Sequence, residues 1–205
     1  MQAVIRPRIL IVALVVLTAW SAYKPASPLA WCVEALPALA LMAGLAWTCR
    51  HWPLTPLSNR LVAAGAALML IGAHYTYSGM PLFSLLRDSL ELSRNHFDRF
   101  GHLFQGAVPA IVLRELLIRR RVVNSSAWLF ALVAGFCLAL SATWEMVEWI
   151  AVVAAGGAPE IYLGYQGDPW DTQSDMACAL IGAVGGLALF GRMHDRQLAA
   201  GPVCD

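Results

Sequence analysis

Apolar residues along this chain run in long blocks. Neither the two-residue period of a half-buried strand nor the narrow stripe of a soluble amphipathic helix would need such runs. Six blocks stand out, at residues 9–22, 29–48, 61–77, 103–118, 127–154 and 176–193. A helix needs about 20 apolar residues to cross the hydrocarbon of a bilayer, and only the first block falls well short. The pattern predicts an all-α fold: a polytopic membrane helix bundle of about six transmembrane helices. The connection over residues 78–97 is too long for a tight turn. Within it Leu82, Leu85, Leu86, Ser89 and Leu92 alternate with Arg87, Asp88, Glu91 and Arg94 at helical spacing, which predicts a short helix lying in the membrane interface. The connection over residues 156–174 is rich in Gly, Pro and Asp and reads as an ordered or semi-ordered loop. One bundle over residues 1–196 and a disordered tail over 197–205 complete the expected organisation.

Composition agrees with lipid as the main solvent. The 205 residues are 59% hydrophobic and 13% charged, where a soluble domain carries about 25% charged residues to cover its surface. The net charge of +1 argues against a nucleic-acid partner. Cys32, Cys49, Cys137, Cys178 and Cys204 show no metal-ligand spacing and read as small apolar filler. Arg6 and Arg8 before the first block, with Ala19-Trp20-Ser21 near its end, also resemble a signal peptide. Nothing like a soluble secreted domain follows, so a retained anchor is expected.

Charge placement then sets an orientation. One set of helix ends holds Arg6, Arg8, Arg50, Arg60, Arg119, Arg120, Arg121, Arg192 and Arg196; the other holds Lys24, Arg87, Arg94 and Arg99. Cytoplasmic loops carry the excess of Lys and Arg, so both chain ends are expected in the cytoplasm. The acids, which play no part in that rule, divide the other way. Glu34, Asp88, Glu91, Asp98, Glu145, Glu148, Glu160, Asp168, Asp171 and Asp175 all fall outside, joined by His74, His96 and His102.

Three spacings carry candidate chemistry. Asp98, His102 and Gln105 share one face where the fourth helix begins; Glu145 and Glu148 stand one turn apart on the fifth, with Ser141 one turn deeper; Asp168, Asp171 and Asp175 step into the sixth. Ionisable groups at membrane depth cost about 2.5–3.5 kcal/mol each on insertion scales and face cavities rather than lipid. Two carboxylates a turn apart are tolerated when they share a proton or a cation. Asp98, His102, Asp171 and Asp175 form a mixed oxygen and nitrogen set suited to Zn²⁺ or Mn²⁺, with Glu145 or Glu148 as general base. Simpler roles compete. Asp171 and Ser174 suit an N-cap, Asp98 a cap or a partner for Arg94, His74 an aromatic cluster with Tyr75 and Tyr77, and Glu115 ion pairs with the Arg cluster. Gly182 and Gly186 form a GxxxG spacing for close helix contact, inside the bundle or across a homodimer. HExxH, GxSxG, Walker and CxxC patterns are absent from the sequence.

Several blocks resemble the YjdF-like family of bacterial inner-membrane proteins. They are His74-Tyr75-Thr76-Tyr77, Ser93-Arg94-Asn95-His96-Phe97-Asp98-Arg99-Phe100-Gly101-His102 with Gln105-Gly106, Pro109 with Arg114-Glu115, Trp144-Glu145 with Glu148-Trp149, and Leu163-Gly164-Tyr165-Gln166-Gly167-Asp168-Pro169-Trp170-Asp171-Thr172-Gln173-Ser174-Asp175-Met176. The resemblance covers nearly the whole chain and implies a multi-pass inner-membrane location. A looser likeness to VanZ-like membrane proteins rests on the order Asp98-Arg99-x-x-His102, Glu145, Asp171 and Asp175, and implies a role in the cell envelope. Two functions follow as expectations. One is a metal-assisted membrane enzyme acting on a lipid or cell-envelope substrate. The other is a non-enzymatic envelope protein, either a small transporter or a binding partner, whose acids form a cation or proton path.

Overall fold

The computed structural model describes residues 7–154, 156 and 166–201. Among them there are helices and no strand. Helix α1 (Pro7–Ala22) leads to a short α2 (Pro28–Glu34) and then α3 (Leu36–His51). Ser27 caps α2, its Oγ accepting from Ala30 N at 3.3 Å. The two helices lie in one apolar block but are bent by 41°. Pro37 is the cause: it has no N–H to donate, and its ring crowds the carbonyl four residues earlier.

Helix α4 (Pro56–Tyr75) starts at Thr55, whose Oγ1 accepts from Ser58 N at 3.3 Å. It is the central helix, and its buried face is made largely of small residues: Ala63, Gly65, Ala66, Gly72 and Ala73. These let α1, α3 and the later helices approach closely, so Leu14, Leu45, Val62, Leu70 and Val108 share one core cluster. Helix α1 is bound into the bundle by polar contacts as well. Ser21 Oγ donates to Leu70 O at 2.6 Å and accepts from Trp31 Nε1 at 2.9 Å.

A 3₁₀ turn (Tyr77–Gly79) leads to α5 (Pro81–Ser89), which has no buried residue. Its Leu82, Leu85 and Leu86 are all exposed. The long helices α6 (Phe97–Arg119), α7 (Ser126–Ala154) and α8 (Asp171–Ala200) complete the bundle. Val133, Cys137, Ala110 and Ala183 form a second core cluster between them. Large apolar side chains such as Val16, Ile150, Ile181 and Leu189 face outward, as lipid in place of water allows.

Helices α6 and α8 run parallel and meet at their backbones. A methyl on Gly182 would lie 2.0 Å from Leu103 O, and one on Gly106 would lie 1.8 Å from Ala179 O. Gly186 faces Ala107 in the same contact. The GxxxG spacing is therefore used inside the bundle. A homodimer through Gly182 and Gly186 would require this contact to open, because α6 already occupies the face.

Four helices, α4, α6, α7 and α8, are long and apolar enough to cross a membrane, and the broken α2–α3 pair makes five. Helix α1 is apolar but has 16 residues, about 24 Å at 1.5 Å per residue against roughly 30 Å of hydrocarbon. At the other end of the chain, residues 197–200, expected as the start of a tail, are helical. Helix α8 continues to Ala200, because Gln197 Oε1 accepts from Leu57 N at 2.8 Å and ties its last turns to α4. Residues 202–205 lie outside the described residues, as do residues 157–165 of the connection before α8, Glu160 included.

Candidate functional site

Because α6 and α8 are parallel and in backbone contact, their first two turns lie side by side. Asp98 and His102 from α6 therefore meet Asp171 and Asp175 from α8. All four are buried, at 5%, 4%, 7% and 2% exposure. Both helix N-termini carry a partial positive charge that favours carboxylates there. One ligand atom each from Asp98, His102 and Asp175 lies within 4.8 Å of the other two. Helix α7 adds Glu145, whose Oε1 is 3.4 Å from His102 Nε2; Asp98 Oδ1 is 3.7 Å from the same nitrogen. His102 Nδ1 faces Ser141 Oγ at 3.3 Å. In the tautomer with the proton on Nδ1, that contact fixes the ring and leaves Nε2 turned to the carboxylates.

The remaining acids take other partners. Asp171 is ion-paired with Arg94 and lies 3.9 Å from Arg99. Asp168 pairs with Arg99 and lies 3.5 Å from Arg94. These two arginines sit beside the cluster and offset part of its charge. Trp170 N–H and Arg99 hold the Asp168 carboxyl below its ordinary range. Burial, with Arg99 and Arg94 nearby, lowers the His96 imidazole. A reciprocal pair joins Asn95 to Gln166: Asn95 N donates to Gln166 Oε1 at 2.8 Å, and Gln166 Nε2 donates to Asn95 O at 2.9 Å. Asn95 Nδ2 also reaches Met80 O and Ser84 Oγ, both at 3.0 Å, so the same residue anchors α5.

A cavity of about 40 Å³ adjoins the cluster, lined by Glu34, Tyr77, Asp98, His102, Gln105 and Glu148 among others. It exceeds the ~10–15 Å³ needed by a single water. Glu148 accepts from Trp144 Nε1 at 2.7 Å. Glu145 Oε1 and Asp175 Oδ1 are buried and without a hydrogen-bond partner, as are Glu34 Oε2 and Gln105 Oε1. Of the residues singled out from spacing, the structure brings Asp98, His102, Asp175 and Glu145 together, and places Glu148 on the cavity wall. Asp171 stands beside Asp175 and is also ion-paired with Arg94. His74 lies apart, stacked on Trp20 with ring centroids 4.2 Å apart. Sequence spacing missed Glu34 and Tyr77 as cavity walls. Their signal was available only as membership of the acid-rich side and of the His74–Tyr77 block.

A second buried polar cluster closes the opposite end. Glu115, fully buried, accepts from Thr55 N and Oγ1, each at 2.9 Å, from Ser58 Oγ at 2.6 Å and from Arg119 Nη1 at 2.9 Å. His194 Nε2 is 3.3 Å from Glu115 Oε2, and its Nδ1 is 3.0 Å from Arg114 Nη1. A guanidinium can only donate, so Nδ1 accepts and Nε2–H donates to Glu115. The network ties α4, α6 and α8 together.

The apolar helices and the buried acidic and histidine cluster at one end define an α-helical membrane protein of the multi-pass kind. The chain belongs to the family described as Predicted membrane protein (DUF2238), whose model matches residues 6–196. It is 43% identical over 170 residues to the Inner membrane protein YjdF of Escherichia coli (strain K12), an alignment covering 83% of this chain and 81% of that protein. It is a multi-pass protein of the bacterial inner membrane. No solved structure matches it.

Proposed function

We propose that Asp98, His102 and Asp175 hold a divalent cation, Zn²⁺ or Mn²⁺, and that this centre acts on a lipid or cell-envelope substrate. The observation that carries the reading is the convergence of these ligand atoms within 4.8 Å of one another, with Asp175 at 2% exposure and its Oδ1 unpartnered. Burying a carboxylate oxygen that has no partner is costly, and a cation shared with Asp98 and His102 offsets that cost. Ser141 then orients the ring behind the ligating nitrogen, as the outer shell of a metal site does. Glu145 beside His102, or Glu148 on the cavity wall, is placed to take a proton from a bound water or hydroxyl. Asp171, already matched to Arg94, balances charge rather than ligating. In this reading the acidic end faces away from the cytoplasm, α1 inserts with the other helices to give six crossings, and α5 lies in the outer interface. The charge asymmetry and the exposed leucines of α5 support that placement.

Metal retention tests the reading. Protein purified in detergent, loaded with Zn²⁺ or Mn²⁺ and desalted, should keep about one equivalent. His102→Asn and Asp175→Asn should fall to background while Asp171→Asn keeps its metal. A wild-type chain that retains none, or a His102→Asn chain that retains as much, rejects it.

A further inference from the structure

A groove of about 280 Å³ continues from the polar cavity along the flank of the bundle. Its walls are Ala40 and Leu41 of α3, Gly65 of α4, Phe104 and Val108 of α6, and Leu140, Thr143 and Val147 of α7. Pro37, Met69, Gln105 and Trp144 line both spaces. Helix α3 packs on α1 and α4, whereas α7 packs on α6 and α8, so the groove lies where these two halves part on the membrane-facing side. From Leu140 to Val147 it runs about 10 Å along α7. Its volume is near the ~300 Å³ at which ligand pockets begin. Trp144 marks the junction. It lines both spaces, and its Nε1–H donates to Glu148, which lines the cavity alone. At the same junction Gln105 Oε1 is buried without a partner.

We propose that this groove seats one acyl chain of a membrane glycerophospholipid, which reaches the acidic and histidine cavity sideways from the bilayer. The occupant follows from the surroundings and the continuity. A slot open to hydrocarbon fills with hydrocarbon, and a chain whose polar head must stand at Gln105 and Trp144 is an amphiphile. The proposal rests on the reading of the cavity as a substrate site and names the class of substrate that enters it.

Phosphatidylglycerol with a diazirine at the acyl-chain end, incorporated into nanodiscs with the full chain, is the probe. Photolabelling mapped by mass spectrometry should concentrate on peptides from α3, α6 and α7 that line the groove. Thr143→Trp and Val147→Trp each replace an exposed side chain on the groove wall and should cut that labelling several-fold without lowering the melting temperature. Even labelling around the bundle, or groove labelling unchanged in folded Trp variants, overturns the proposal. His102→Asn separates the two readings, because it should lose metal yet keep the label. Localised labelling of a chain that holds no metal would leave the groove standing and remove the cation.

Discussion

At the scale of single residues, Glu115 shows how a charge is made tolerable at membrane depth. It is fully buried, yet Thr55, Ser58, Arg119 and His194 all reach its carboxylate. Removing one member of such a network leaves the others without partners. Glu115→Ala should therefore cost about 3–5 kcal/mol in a denaturation titration of the detergent-solubilised protein. Glu115→Gln keeps an acceptor for Thr55 and Ser58 and should cost clearly less; equal losses would show that packing volume, not polar pairing, governs the site. His96 gives a pH dependence with a definite sign. Its folded pKa lies below the ordinary value of 6.5, so its contribution to stability is complete above that pH and is lost as pH falls below it. The wild-type melting temperature should drop more between pH 7 and pH 5 than that of His96→Gln, and identical drops would remove His96 from the account. Sequence spacing finds Asp98 with His102, because residues four apart on one helix must share a face. It does not show that Asp171 also pairs with Arg94, which lies in a connection whose path no periodicity describes. The sequence marks Glu115 as an ion-pair residue, and Arg119 is one of its partners. Thr55, Ser58 and His194 come from other helices, and nothing in their local sequence announces the meeting.

At the scale of helices, glycine position separates contact from ornament. A Cβ at Gly182 would collide with the Leu103 carbonyl, whereas one at Gly185 meets nothing within 4 Å. Gly185→Ala should stabilise α8 by up to about 1 kcal/mol, the usual helix preference for Ala over Gly. Gly182→Ala should destabilise by roughly 1–3 kcal/mol or more, since α6 and α8 must separate to admit it. Matching effects in a thermal melt would mean that the two helices are not in backbone contact. Helix existence was plain from the length of each apolar block. Block length does not show the break between α2 and α3, although Pro37 stands within that block. Pro109 stands inside α6 without breaking it, so proline alone does not decide the outcome.

At the scale of the whole molecule, the two polar clusters occupy opposite ends of the bundle, and charge counting assigns those ends to different compartments. The proposed orientation predicts that a phosphatase reporter active only outside the cytoplasm works when fused after Gly156 and is silent after Asn124. The reverse pattern would turn the acidic cavity and its lipid groove to the cytoplasmic side. The separation of acids from arginines was visible in the sequence once the helices were ordered. Convergence of the acids is expected from the three spacings, and Asp98, His102, Asp175 and Glu145 do meet. The sequence does not show that this depends on α6 and α8 running side by side. That neighbourhood is set by small residues such as Gly106 and Ala179, which carry no charge pattern to follow.

The pairing of α6 with α8 also fixes an order of events during synthesis. α8 leaves the ribosome only after all of α7 has been made. Until it arrives, Asp98 and His102 have no Asp175, Glu115 has no His194, and Gly106 presents a bare stretch of backbone to the lipid. A nascent chain that stops before Asp171 thus lacks a closure at both ends at once. Docking of α8 on α6 therefore completes the acidic cluster and the Glu115 network together.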